Sequence, residues 1–196
     1  MTPIISARGG LSSQAYGQFA LSLAGGSYES IATVTAPSTQ STITFSSIPS
    51  TYKHLQLRGI MRTSRTAGND LVSIRFNNDT GSNYSDHALG GDGSNPYVDK
   101  NVSASFINVQ RSSSNFNGSN IFGVYVIDIL DYTSTSKNKT TKALGGYDAN
   151  GSGQVVLNSG AWYNSSTAIN RIDLILPNYT TNFLQYSHFA LYGIKD

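Results

Sequence analysis

Asp148, Asn150 and Ser152 occupy alternate positions of DANGSG (Asp148–Gly153). The opening of an EF-hand loop uses this spacing to gather oxygen ligands around calcium, with a glycine making the sharp turn. The twelfth position should then be Glu, and it is Ser159. The same residues also read as a hairpin turn, because Asn-Gly tolerates positive φ. Calcium, or another hard cation, is the one cofactor these residues could hold, and the turn is the competing reading. Asp92, Asn95 and Asp99 pose the same choice within a Gly-rich and Asn-rich stretch.

Other chemistries find less support. Serine is abundant, but no G-x-S-x-G elbow is present. His54, His87 and His188 have no H-x-x-x-H or H-E-x-x-H spacing, so a zinc site would need distant partners. A glycosidase needs two facing carboxylates. Asp128 and Asp173 sit between apolar neighbours and are the candidates, with pairing to Arg or Lys as the alternative use. GGDGSN (Gly90–Asn95) is followed by neither Lys-Ser/Thr nor a helix pattern, which argues against a phosphate loop. Sequons occur at Asn78, Asn83, Asn101 and Asn164, as this composition alone would produce.

The chain has 196 residues, no cysteine, 12% charged residues and a net charge of +2. A disulfide framework and thiolate metal sites are excluded. The small net charge makes no case for nucleic acid or an anionic membrane. No stretch approaches the roughly 20 apolar residues of a membrane helix. The start lacks a basic segment followed by an apolar one, so no membrane insertion and no secretion by that route are expected. Twelve Tyr on a Ser/Asn/Gly background suit both recognition surfaces and half-buried strands.

The elements that must hold these residues are strands. ESIATVTA (Glu29–Ala36) and STITFSSI (Ser41–Ile48) alternate and flank PSTQ, which reads as a hairpin. Leu55 and Leu57 share a face, as do Val72, Ile74 and Phe76. NIFGVYVIDILDY (Asn120–Tyr132) is the most apolar run; its length allows a helix, but Val, Ile, Phe and Tyr make it read as a central strand covered on both faces. Lys139–Asp148 and Gly153–Tyr163 flank a tight turn. Further strands fall within 104–111, 169–177 and 188–194. Residues 77–101 read as a long polar connection, with one edge strand near Tyr84–Leu89 as the alternative. The fold class is therefore all-β: an antiparallel β-sandwich, jelly-roll-like, over 29–196, with an extended N-terminal arm over 1–28.

That arm, PIISARGGLSSQAYGQFALSLAGG, spreads its apolar residues among glycines. Alone it cannot offset a backbone entropy of roughly 1–2 kcal/mol per residue. It either docks on a partner or lies along its own sandwich. IISARGGLSSQAYGQF resembles an N-terminal motif of tailed-bacteriophage structural proteins, especially of marine and cyanobacterial phages. STITFSSIPSTYKHLQLRG, VIDILDY and FALYGIK are similar to segments of β-rich phage virion proteins.

The resemblance implies a non-enzymatic virion component, made in the host cytoplasm and docked on other virion proteins of tail or capsid. Ile4, Ile5, Arg8, Gly9, Gly10, Leu11, Tyr16, Gly17 and Phe19 would carry the docking. A tail-fibre or tail-tip role in adhesion to host surface glycans is expected, with Tyr84, Tyr97 and Tyr179 stacking on sugar rings. The alternatives are a capsid decoration (cement) protein or head fibre and, from another class, an Asp-based glycan hydrolase. Homo-oligomerisation fits either virion role, a trimer being one arrangement.

Overall fold

Alternating Leu, Ile and Val with Ser, Thr and Asn, interrupted by Gly, Asn and Pro, builds strands. The computed structural model describes residues 27–178 and 180–195 and places twelve strands among them. They are β1 (Tyr28–Thr35), β2 (Thr42–Phe45), β3 (His54–Thr63), β4 (Asp70–Phe76), β5 (Tyr84–Gly91) and β6 (Pro96–Ala104). Then follow β7 (Ile107–Ser114), β8 (Gly123–Leu130), β9 (Lys139–Asp148), β10 (Gly153–Trp162), β11 (Ile172–Ile175) and β12 (His188–Ile194). A single 3-10 turn, Asn115–Asn117, follows β7. The fold is all-β.

The pairing is nested. β1 pairs with β12, β2 with β11, β3 with β8 and β4 with β7, each antiparallel. The chain thus folds as one long hairpin, rolled so that its layers also meet through β12 with β3 and β11 with β4. Two hairpins are inserted into this roll: β5–β6 between β4 and β7, and β9–β10 between β8 and β11. β9 pairs with β8 and β10 with β5, so both insertions extend the same sheet. One sheet therefore reads β1-β12-β3-β8-β9-β10-β5-β6 and the other β2-β11-β4-β7. They join into one mixed sheet through a short parallel contact of Arg62 and Thr63 with Ser113 and Ser114.

The core lies between the two sheets. Ile43, Phe45, Val72, Ile74, Phe76, Ile172 and Leu174 project from the small sheet. Leu55, Leu57, Tyr125, Ile127, Ile129 and Leu191 project from the large one. β7 crosses over β9 and β10. At the crossing, a Cβ added to Gly160 would stand 2.4 Å from Ile107 Cγ2 and 2.8 Å from Thr141 Oγ1. Trp162 packs with Phe76 and Tyr84 at ring-centroid distances of 5.7 and 6.2 Å, and its Nε1 donates to Asp79 at 2.7 Å. Behind it the buried Lys139 ammonium donates to the carbonyls of Ser134, Lys137 and Asn164, which satisfies its three protons.

Three expectations need correction. β1 and β2 do not pair with each other, since each takes a partner from the C-terminal third of the chain. The polar stretch 77–101 holds the strands β5 and most of β6, joined by the turn at Asp92–Asn95. Its many Gly, Asn and Asp residues mask a regular hairpin. β8 is covered on one face only. Tyr125, Ile127 and Ile129 are buried, but Val124 and Leu130 are 57% and 42% exposed.

Because Gly160 lies against Ile107, Gly160→Ala is expected to lower stability by about 1–3 kcal/mol through overpacking. Urea denaturation checks this. The midpoint should fall at unchanged slope, and an unchanged midpoint would show that the sheets can part at this point.

Candidate functional site: the outer face of the large sheet

The residues expected to do chemistry are dispersed by the fold. The Asp148 loop closes as a two-residue turn, with Asn150 and Gly151 at φ of 53° and 109°. The Asp148 carboxylate accepts from the Asn150 backbone N–H at 2.8 Å. The turn reading accounts for the sequence there. Asp92 similarly accepts from the backbone N–H groups of Ser94 and Asn95, which hold its carboxyl below the usual range. Among the described residues, no three of His, Asp and Glu gather in one place.

Asp173 is bridged by Arg171 through two bonds of 2.8 Å, on the small sheet. Asp128 belongs to the large sheet and accepts from Gln56 Nε2 at 2.7 Å. The two candidate carboxylates are therefore engaged separately on different sheets. His54 Nδ1 accepts from the Asp131 backbone, and His188 Nδ1 meets Thr35 Oγ1.

Of the sugar-stacking tyrosines, Tyr84 must be corrected. It is completely buried, and its hydroxyl donates to the carbonyls of Phe76 and Asp79. Burial pushes its phenol well up. The sequence placed it in a loop, whereas the inward phase of β5 puts it in the core. The Tyr97 ring lies against Gly90, where a Cβ would stand 2.3 Å from it. The Arg111 guanidinium is 5.1 Å from its centroid, so much of the ring is already in contact. Tyr179 lies outside the described residues, as do the docking residues Ile4, Ile5, Arg8, Gly9, Gly10, Leu11, Tyr16, Gly17 and Phe19.

What the fold does assemble is a surface. Residues directly opposite in neighbouring strands share a face. The register aligns Val126, Leu144, Leu157, Leu89 and Val98 in one row across β8, β9, β10, β5 and β6. All point away from the core. Leu89, Val98 and Leu144 are 54%, 81% and 53% exposed. The next row along the strands is Val124, Gly146, Val155, Gly91 and Pro96. The exposed side chains of the two rows form an apolar patch on the order of 500 Å², the upper range for a monomer. On one side it is flanked by Asp128, Lys142, His87 and Lys100, and on the other by the turns carrying Asp148 and Asp92.

At the β1 end the same face turns polar. The Arg58 guanidinium lies between the rings of Tyr28 and Tyr192, 5.2 and 5.4 Å from their centroids. Its Nε donates to Gln56 Oε1, and Gln56 in turn donates to Asp128.

Beneath the patch, on the inner side, Asp86 is buried and accepts from Asn101 Nδ2 and the Asn108 backbone, both at 3.1 Å. Desolvation raises its carboxyl despite these bonds.

The sequence already carried the signal for the patch. Val155-Val156-Leu157 and the run 124–130 are apolar on both strand faces, although only one face meets the core. No protein-family model matches the chain, and no curated protein matches it in sequence.

For a carboxyl raised by folding, the favourable contribution is full below the unfolded pKa of about 4 and is lost as pH rises through the folded value. Asp86→Asn removes this loss. Its stability relative to the unsubstituted chain is expected to improve as pH increases from 4 to 7. A pH-independent difference in urea denaturation would refute this role.

Proposed function

We propose that the chain is a non-catalytic assembly component of a phage particle, built as a jelly roll with two inserted hairpins. The nested strand pairing supports the jelly-roll reading, since such a roll is one long hairpin wrapped on itself. The observation that carries the assembly reading is the apolar row from Val126 to Val98 on an open sheet face. Bare aliphatic area of this extent marks protein docking. Its aliphatic row offers a sugar few hydrogen-bonding groups. A component held against other subunits, such as a capsid decoration protein or head fibre, uses such a face better than a solvated fibre tip does. The leader, with its resemblance to phage docking motifs, would supply the second attachment.

Incorporation of tagged chains into particles tests this. Leu144→Asp with Leu157→Asp should fold with unchanged melting, because both side chains point outward, and should be depleted at least about tenfold from particles. Deleting residues 2–26 should leave a folded body that also fails to incorporate. Normal incorporation of the double Asp variant would overturn the docking face, and normal incorporation of the truncation would overturn the arm.

A second reading, adhesion to glycans, is favoured by the Tyr28–Arg58–Tyr192 sandwich with Gln56 and Asp128 beside it. Rings, an amide and a carboxylate together suit sugar recognition. On a glycan array, Tyr192→Ala should abolish any signal given by the unsubstituted chain. Silence from the unsubstituted chain would end this reading.

A further inference from the structure

We propose that the apolar face pairs with the same face of a second copy of this chain, about a two-fold axis lying between the sheets and perpendicular to the strands. This presupposes that the face is a docking surface, as proposed above, and names its occupant.

The pattern along β9 carries the inference. Its outward positions run Lys142, Leu144, Gly146, Asp148. Rotation about an axis between Leu144 and Gly146 reverses the strand and lays it on its own copy. Leu144 then faces Gly146, and Lys142 faces Asp148. A large side chain meets a hollow, and a cation meets an anion, twice each.

The neighbouring strands repeat the pattern about the same axis. On β5, Leu89 lies on one side and Gly91 on the other. On β10 the pair is Leu157 and Val155, and on β8 it is Val126 and Val124. Beyond β5, the His87 and Lys100 end would approach the Asp92 turn. Rotation about the alternative axis, parallel to the strands, would instead keep each row over itself, leucine over leucine or valine, with both glycines left unfilled. Size therefore selects the first arrangement, since only it seats Leu144 and Leu89 over glycines.

The two glycines differ in origin. At Gly146 a Cβ would strike Gln154 O at 2.2 Å, so the chain's own hairpin requires glycine there. At Gly91 a Cβ would meet only Asn95 O, at 3.6 Å, which is an ordinary contact. Among the described residues, no contact accounts for a missing side chain at Gly91. A leucine from a facing copy does.

Aligned sheets pack about 10 Å apart at roughly 30°, a distance Leu and Val side chains fill. The patch, on the order of 500 Å², is smaller than the roughly 800 Å² per partner of a standard interface, so the charged margins must supply the remainder. Among the described residues, no ion pair engages Lys142, Lys100 or Asp148 within the chain.

Sedimentation equilibrium of the full chain, from about 1 to 100 µM, tests the pairing. A dimer is expected. Gly91→Val should weaken it about tenfold or more with unchanged melting, by filling the hollow that receives Leu89. Lys142→Glu and Asp148→Lys should each weaken it about tenfold, and the two together should restore it to within about threefold. That restoration is specific to this axis, because a merely structural role for either residue would not be rescued by the other. A monomer throughout the range overturns the proposal. So does a dimer indifferent to Gly91→Val, or a double charge variant that stays dissociated. If the chain is monomeric while the Leu144→Asp, Leu157→Asp variant is still lost from particles, the face docks on a different protein. The pairing then fails and the docking reading stands.

Discussion

Ile107 lies on Gly160 with no room for one further carbon, and this contact clamps the two inserted hairpins to the rest of the molecule. Among the described residues, β7 makes the most extensive contact of the small sheet with β9 and β10, and Phe76 of β4 adds a contact with Trp162. Without β7, much of the inner face of β9, β10 and β5 would lie open to water, and a sheet wet on both sides cannot offset its own ordering. With it, the inner faces of β9, β10 and β5 enter the core, where Trp162, Tyr84 and Phe76 pack together. The outer faces are left to whatever the sequence put there.

What it put there is Val and Leu. An open sheet face in water ordinarily alternates apolar inside with polar outside. The outer rows of β8, β9, β10 and β5 depart from that rule, while Ser, Thr and Lys return at their ends. Each exposed leucine forgoes about 25 cal/mol per Å² that burial would return. Such a departure is common where a protein serves an assembly rather than its own stability. The polar, tyrosine-flanked end around Arg58 and the apolar stretch around Leu144 share one sheet face, so occupancy of one constrains what can approach the other.

Much of the local structure was legible in the residues. Strands within 54–63, 71–78, 139–148, 153–163 and 188–194 follow from alternation and turn residues, and Asn150-Gly151 marks its turn directly. The stretch 77–101 was legible only in part: the alternative strand near Tyr84–Leu89 corresponds to β5, while Gly, Asn and Asp residues of low strand propensity hid β6. β5 and β6 exist through pairing with β10, a tertiary effect that overrides propensity. Tyr84 illustrates the consequence. Placed in a loop it suggests a ligand platform, but as an inward residue of a paired strand it is core. The apolar face was half legible: the sequence shows strands apolar on both sides, and buried strands look the same.

Period and turn chemistry therefore determined, from the sequence alone, that this chain is made of short strands and where most of them run. Those signals act over two to four residues and need no knowledge of distant parts. Which strands pair was decided only in three dimensions, since β1 with β12 and β2 with β11 join residues more than a hundred positions apart. The same holds for the functional surface. A Val or Leu carries no mark of which side of a sheet will be covered, and that depends on how far the second sheet extends.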